Sequence, residues 1–563
     1  MDNNLQRSLH VHARAVLSML LSLSLSMPAY AQLPTDAGAL IKQVDERREM
    51  MQQDRELPRP QLKETGLTTP TKHQVKITVT GFRFKGNTLL GDKELSTIVK
   101  RYLNHAVTYS QLQDAAAAVG EAYRKRGWAV RAFLPQQDIA NGIVEIDIVE
   151  ARLGKILLEK DSCAWPSKAR IDAMFKAQGK EGKPLNVDTL ERPLLILDDL
   201  PGVSASGRLQ QGEHDGETDL VIKTAKDSWA SGVVMADNEG SRSTSEYRVH
   251  SFVQLLNPLK LGDISSLYLL ESEGLRFARL EESLSVGSDG LRIGANAGVS
   301  DYKVLPSEFD ALNAKGKSNS VGAQVSYPLI RSRQQNLNFN FNYDHKSFYN
   351  RAQDDTSSKY ETDSCTMALR GNKVDAFFGG GSNFANVNFV LGKQSLGTLN
   401  SGEDPALQGG YQKVVYNFSR QQTILSWLSA YGEASGQVTP DRRLDSSEKF
   451  YLGGPGGVRA YPVSEGSGVQ GVLYKAELRC RLASKYQLSG FYDYGFVRNY
   501  GNVRSYSLDG AGLESYWQLN TGLGIKLTWA HRLHENSNST SNGDDQDGTL
   551  RKDRFWLSCI VQF

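Results

Sequence analysis

The chain is poor in cysteine, with four in 563 residues, none in a C-x-x-C pair and none at metal-ligand spacing. That excludes a disulfide-built scaffold and a zinc module. Histidine is scarce too, at nine residues, and His531 and His534 beside a loop form no triad; no catalytic residue, metal or cofactor is expected, and an enzyme is not the reading. No G-x-x-x-x-G-K-[ST] loop is present, which excludes a P-loop motor. The net charge is only +2 and no basic stripe carries interleaved aromatics, so no nucleic-acid partner is expected. Beyond the N-terminus no apolar run reaches 18 residues, which excludes a transmembrane helix. One membrane architecture escapes that exclusion. In a β-barrel the lipid-facing residues are diluted one to one by lumen-facing ones.

What the sequence does have is alternation. At the C-terminus Phe555, Leu557, Cys559, Val561 and Phe563 fall on every second residue and would face lipid. Residues 337–344 alternate amides with Leu337, Phe339, Phe341 and Tyr343, and residues 385–389 and 523–529 repeat the pattern. Any one segment suits a half-buried strand of a soluble sheet; the repetition points to a barrel. Residues 227–563 are assigned to it, and a membrane strand needs about 9–11 residues, which predicts about sixteen antiparallel strands. The Asn/Ser/Gly/Asp-rich stretch 535–548 is expected to be a long extracellular loop.

Ahead of the barrel the organisation is modular. Residues 1–31 read as a signal peptide: Arg7 and Arg14, an apolar stretch, then Ala29-Tyr30-Ala31 for cleavage. Residues 32–56 read as a polar helix, capped by Thr35 or Asp36, with Lys42 and Glu46 at i,i+4. Its apolar stripe, Ala39, Leu40, Ile41 and Val44, is too narrow to cover a core, so the helix is expected in a polar channel or as a tail in water. Residues 57–73 carry Pro58, Pro60 and Pro70 and read as an extended linker. Residues 74–151 and 152–226 each read strand, helix, helix, strand, strand, a tandem repeat that suggests a duplicated binding module. Pro193 is expected to kink the last helix of the second copy or to shift its start.

Several motifs carry a resemblance. Tyr123-Arg124-Lys125-Arg126-Gly127-Trp128, with Leu134-Pro135-Gln136-Gln137-Asp138-Ile139 and Gly142-Ile143-Val144, resembles the polypeptide-transport-associated (POTRA) domain. The runs 237–242 (Asp-Asn-Glu-Gly-Ser-Arg) and 257–263 (Asn-Pro-Leu-Lys-Leu-Gly-Asp) resemble the opening barrel strands of the TpsB family, the haemolysin/haemagglutinin activation and secretion proteins of two-partner secretion. Gly453-Gly454-Pro455-Gly456-Gly457-Val458-Arg459-Ala460-Tyr461-Pro462 is similar to that family's loop that tucks into the lumen, with Ala460 where the family usually has Gly. Alternation puts Asp493 on the face opposite Tyr492, Tyr494 and Phe496, and therefore toward the lumen, since a charge facing mid-membrane lipid is costly.

The resemblance implies an outer-membrane barrel of a Gram-negative bacterium with two periplasmic POTRA domains and an N-terminal plug helix. It implies an ion pair between Arg459, within Val458-Arg459-Ala460-Tyr461, and Asp493. The implied partner is a large exoprotein of adhesin or haemolysin type, recognised by its N-terminal secretion domain and exported without ATP. Outer-membrane lipid and the barrel-assembly machinery, needed for the chain's own insertion, are the other implied partners. An exposed sheet edge can take up an extended segment by β-augmentation. Residues 130–134 and 203–209, with Val130, Ala132, Leu134, Val203 and Ala205, are the candidate edges. The alternatives are a barrel-assembly insertase of the same superfamily, and a passive porin or receptor.

Overall fold

The computed structural model describes residues 36–56, 76–176, 181–353, 355–399, 405–441, 443–500 and 505–563. The signal peptide, the first residues of the polar helix and the proline-containing linker lie outside these. The chain divides into two compact units, one holding the two α/β repeats and the other holding helix and barrel.

The first repeat contains β1 (Lys76–Thr78), β2 (Gly81–Lys85), α2 (Asp92–Val99), β3 (Ala106–Thr108), α3 (Tyr109–Arg124), β4 (Val130–Phe133) and β5 (Ile143–Glu150). Strand β5 is central, parallel to β2 and antiparallel to β4. Its alternate residues Val144, Ile146 and Ile148 pack on Leu112, Val119 and Tyr123 of α3 and on Leu95 and Val99 of α2, which is the core of this repeat. A capping box starts α3, with Thr108 and Gln111 bonding reciprocally. The predicted first strand is in fact two, β1 and β2, and the short β3 pairs with β1 rather than belonging to a loop. The edge strand stops at Phe133, so Leu134 lies just past it, packed beside the core.

The second repeat contains β6 (Arg152–Leu158), α4 (Lys168–Phe175), α5 (Val187–Asp198), β7 (Val203–Gln211) and β8 (Glu217–Lys226), in sheet order β6-β8-β7. Helix α5 starts at Val187 and runs through Pro193, so the proline does not shift its start. Asn186 caps it, accepting from the N–H of Asp188.

The barrel is closed by sixteen antiparallel strands. In order they are β9 (Ala230–Asp237), β10 (Arg248–Leu256), β11 (Asp263–Ser272), β12 (Leu275–Val286), β13 (Leu291–Lys303), β14 (Lys315–Arg331), β15 (Gln335–Ala352), β16 (Asp355–Asp375), β17 (Gly381–Leu399), β18 (Gly409–Leu425) and β19 (Leu428–Val438). After the two-stranded insertion β20 (Phe450–Tyr451) and β21 (Ser467–Gly468) come β22 (Gln470–Ala483), β23 (Tyr486–Arg498), β24 (Tyr506–Gln518), β25 (Leu523–Arg532) and β26 (Asp553–Gln562). Strand β26 pairs back onto β9. Asn238 staples this seam, its amide donating to the Phe555 carbonyl (3.0 Å) and its Oδ1 accepting from the Leu557 N–H (2.7 Å). The lumen-facing asparagines Asn338, Asn340 and Asn342 of β15 line a cavity with Asn386 and Asn388 of β17, while the outward Met367, Leu369, Phe389 and Leu391 are exposed. Aromatic and aliphatic outward positions against amide inward positions are what a lipid-embedded barrel requires.

Helix α1 (Ala37–Glu56) sits inside the barrel. The tail in water is thereby excluded, and one expectation needs correction. The narrow stripe does bury itself: Leu40, Ile41 and Val44 pack with Phe252, Tyr268, Phe277, Tyr302, Phe348 and Tyr360 of the wall. A barrel interior curves around a helix, so a stripe too narrow for a flat core still finds apolar partners.

Candidate functional site

Two elements fill the lumen, the helix and the loop between β19 and β22, and each is held by named contacts. The loop carries the glycine-rich tip. Gly457 is required there, since a Cβ would lie 1.7 Å from the Leu452 carbonyl oxygen, and Gly454 adopts a φ of +104°. With these two turns the tip folds on itself, the Val458 N–H donating to the Leu452 carbonyl at 2.7 Å. Leu452, Val458, Ala460 and Tyr461 are fully buried against Leu473, Phe491, Val497, Leu508 and Ala530 of the wall.

Arg459 is the charged centre of this seat. Its Nε donates to Asp493 Oδ2 at 2.9 Å and its Nη2 to Asp493 Oδ1 at 2.8 Å, a bidentate pair, while its backbone N–H reaches Oδ2 at 3.1 Å. Glu477 of β22 lies 2.9 Å from Nη2 and Glu514 of β24 3.4 Å from Nη1. The guanidinium also stacks 3.5 Å from the Phe491 ring centroid. Trp556 of the last strand donates to the Arg459 carbonyl at 2.8 Å, and Lys475 to the Gly456 carbonyl at 2.6 Å. One buried cation thus ties three adjacent strands to the loop. The walls are hollowed to admit it: a Cβ on Gly510 would meet Ala460 Cβ at 2.5 Å, and one on Gly495 would meet Leu452 at the same distance. Tyr461 packs under Arg532, whose guanidinium is 4.6 Å from the ring centroid.

The helix is pinned at its start and along its first three turns. Asp36 caps it, accepting from the Ala39 N–H at 2.9 Å and from Ser446 Oγ at 2.7 Å, and Asn350 Oδ1 accepts from the Ala37 N–H at 3.2 Å. Farther along, Asp45 pairs with Lys346 (2.8 Å), Arg48 with Glu281 (3.6 Å) and Arg47 with Glu239 (2.7 Å). Gln43 bonds Ser464 of the loop, so the two lumenal elements touch. Lys42 and Glu46 form the i,i+4 pair at 3.7 Å. The residues 237–240 now have a physical role: Asp237 holds Arg248 (3.0 Å) and His250 (3.2 Å), Glu239 receives Arg47 and bonds Ser558 (2.5 Å), and Gly240 lies where a Cβ would be 2.3 Å from the Ser245 carbonyl oxygen. Sequence reading noted this run without assigning it a partner; Arg47, one of several charges on the helix, gave no signal of its own.

The α/β repeats place β4 and β7 at sheet edges. Val130 and Ala132 are half-buried beside the first core, Val203 is buried in the second, and the Ala205 N–H already donates to Asp198 at 2.7 Å. The first repeat's edge is the less occupied of the two. Glu150, at the end of β5, accepts from the N–H groups of Thr88 and Leu89 at 2.7 and 2.8 Å, from the Thr88 hydroxyl, and from Tyr123 at 2.9 Å. Burial alone would raise its pKa, but these donors outweigh it and hold the carboxyl below its ordinary value. The Tyr123 hydroxyl is raised, by burial first and by this carboxylate second.

A closed sixteen-stranded antiparallel barrel preceded by POTRA repeats and occupied by a helix and a docked loop defines an outer-membrane protein transporter, with its repeats in the periplasm. Residues 77–151 match the POTRA domain of ShlB type. Residues 216–516 match the haemolysin secretion/activation protein ShlB/FhaC/HecB, and the chain belongs to that family. It is 28% identical to the heme/hemopexin transporter protein HuxB of Haemophilus influenzae strain 86-028NP, over 96% of this chain and 97% of that one. It is 22% identical to the outer membrane transporter CdiB of Dickeya dadantii, over 87% of each. Among solved structures, CdiB from Escherichia coli superposes with a TM-score of 0.66 at 21% identity, covering 96% of this chain and all of that one.

Proposed function

We propose that this transporter captures its exoprotein through the edge of the first POTRA repeat and passes it through the barrel once α1 has left the lumen. The domain limits that go with this reading are residues 74–151 and 152–226 for the repeats and 227–563 for the barrel. The observation that carries it is the filled lumen. A polypeptide cannot cross a pore occupied by a 20-residue helix and a docked loop. Of the two, the loop is joined to barrel strands at both its ends, β19 and β22, whereas the helix connects to the barrel only through the α/β repeats. The Arg459 loop braces the wall and stays; the helix is the part that moves. Export needs no ATP and draws on folding of the exoprotein as it emerges. The barrel-assembly machinery inserts the chain. The likeness to the heme/hemopexin transporter HuxB suggests a heme- or hemopexin-linked exoprotein as the cargo.

Capture is tested with the full chain in detergent and the secretion domain of its cognate exoprotein. Backbone donors on an augmenting edge alternate outward and inward, so one of Arg131→Pro and Ala132→Pro removes an outward N–H. That variant is expected to bind about tenfold more weakly or worse. Unchanged affinity in both variants overturns the β4 edge as the docking strand.

A further inference from the structure

The outward face of the barrel wall carries a groove of about 770 Å³ that export does not use. The chain enters β9 from the periplasmic repeats, so the end of β16, the start of β17 and the end of β18 lie on the periplasmic side. Cross-strand register sets Lys373, Asn383, Arg420, Gly432, Ala476 and Tyr492 in one row along the groove. The row shares the parity of Leu337 and Phe418, and so points outward. Over β16–β18 it is polar; over β19, β22 and β23 it is small or aromatic. The floor is open there: a Cβ on Gly432 would meet nothing within 4 Å, and Phe418 stacks on Tyr416 of its own strand, ring centroids 5.8 Å apart.

The polar end of the row lies at headgroup level. Phe377 and Phe378, in the turn after β16, are 63% and 79% exposed, and aromatics at the ends of barrel strands mark the membrane interface. Arg420 is already neutralised there, its Nη1 2.7 Å and its Nη2 3.0 Å from the Asp375 carboxylate. Lys373 is not: it is exposed, and its ammonium forms no ion pair among the described residues. Gln335 stands directly opposite it with a side-chain amide to donate. The mouth of the groove therefore offers one uncompensated cation beside a neutral donor, which suits a phosphodiester. From Lys373 to Tyr492 the row crosses five strand spacings of ~4.8 Å, about 24 Å. Across strands tilted by about 40° it climbs roughly 15 Å, half of the ~30 Å hydrocarbon core. The groove thus runs from the periplasmic headgroups to the middle of the bilayer, the path of one acyl chain.

We propose that this groove holds one anionic phospholipid of the periplasmic leaflet, its phosphate on Lys373 and Gln335 and one acyl chain laid across Gly432 and Ala476 toward Tyr492. The wall itself selects lipid over a second barrel. A second copy packed through the same face brings Lys373 no free carboxylate, because Asp375 already serves Arg420 and Asn383. The bound chain fills the space that Gly432 leaves on the lipid side of β19, the strand that leads into the Arg459 loop.

The test uses the full chain, delipidated in detergent, with phosphatidylglycerol, diacylglycerol of the same chains, and glycerol 3-phosphate. Binding is read by native mass spectrometry, which also reports the oligomeric state. The wild type is expected to retain one phosphatidylglycerol, to bind diacylglycerol about fivefold more weakly, a lysine at a lipid surface being worth about that factor, and to bind no glycerol 3-phosphate. Lys373→Ser is expected to lose the same fivefold and Lys373→Arg to keep it. G432L/A476L, which fills the floor, is expected to bind phosphatidylglycerol at least tenfold more weakly. Equal binding by the filled-floor variant, or equal binding of diacylglycerol by the wild type, overturns the site. A dimer that persists without lipid in the wild type and is lost in G432L/A476L assigns the groove to a second copy and overturns it too. Should the filled-floor variant not reach the folded, heat-modifiable form, the wild-type comparison of the three ligands decides alone.

Discussion

Ala460 and Gly510 are a matched pair: the alanine methyl fills the hollow that the missing side chain of residue 510 leaves, at 2.5 Å from where a Cβ would stand. The loop tip is thus seated by shape as well as by the Arg459 charge. Overpacking at such a contact costs about 1–3 kcal/mol. Gly510→Ala is expected to destabilise the docked loop by that amount, and Ala460→Gly in the same chain to restore it. A double-mutant cycle on thermal unfolding checks this; additive losses would contradict the pairing.

Arg459 answers to three carboxylates, so removing it leaves Asp493, Glu477 and Glu514 facing one another in a buried site. Breaking a buried pair by deleting one partner costs about 3–5 kcal/mol. Arg459→Ala is expected to lower stability more than Asp493→Asn does, and to expose the 453–462 segment to protease. Arg459→Lys is expected to rescue only in part, because an ammonium cannot make the bidentate contact. Limited proteolysis of the full chain, with membrane levels checked, reads all three.

The helix is latched by pairs to distant strands. Removing Arg47 leaves Glu239 without its nearest helix partner, and removing Lys346 leaves the helix residue Asp45 without its nearest wall partner. Arg47→Ala and Lys346→Ala are each expected to raise the open time of the channel in planar bilayers, and the double variant to raise it further. An unchanged conductance record in the double variant would place the latch elsewhere.

In the first repeat, Glu150 clamps the β2–α2 turn. Because its folded pKa is depressed, the stability it contributes is fully present above the ordinary glutamate range and is lost as pH falls through the lower folded value. Hydrogen exchange of the Thr88 and Leu89 amides is expected to speed up on that acid side in the wild type. Glu150→Gln is expected to show faster exchange at every pH, with the loss about 1 kcal/mol after allowance for solvent.

The barrel was legible because a period of two sustained over many segments suits little besides a wall with lipid on one face and water on the other, and chain length bounded the strand number. The lumenal direction of Asp493 followed from the same alternation against Tyr492 and Tyr494. Glu477 and Glu514 obey it equally, but a charge facing a wet lumen is unremarkable until its partner is placed. The helix was legible as polar, yet its seat was not, since Lys346, Asn350 and Ser446 are hundreds of residues away in sequence. Strand β3 spans only three residues and forms through pairing with β1, so no local signal marks it. Pro193 did not move the start of its helix, because a helix packed by Leu190, Ile196 and Leu197 tolerates the lost hydrogen bond.

The central claim is that the helix must leave the lumen for the exoprotein to pass, and a tether tests it most directly. A Cβ on Gly38 would lie 3.1 Å from Ser447 Cβ, a few tenths of an ångström short of disulfide spacing. Gly38→Cys with Ser447→Cys, in a chain whose four native cysteines are serine, is assayed for secretion of the cognate exoprotein in oxidising and reducing medium. The account predicts that export stops when the bridge is closed and returns on reduction. Export at an equal rate with the bridge shown to be closed would contradict it.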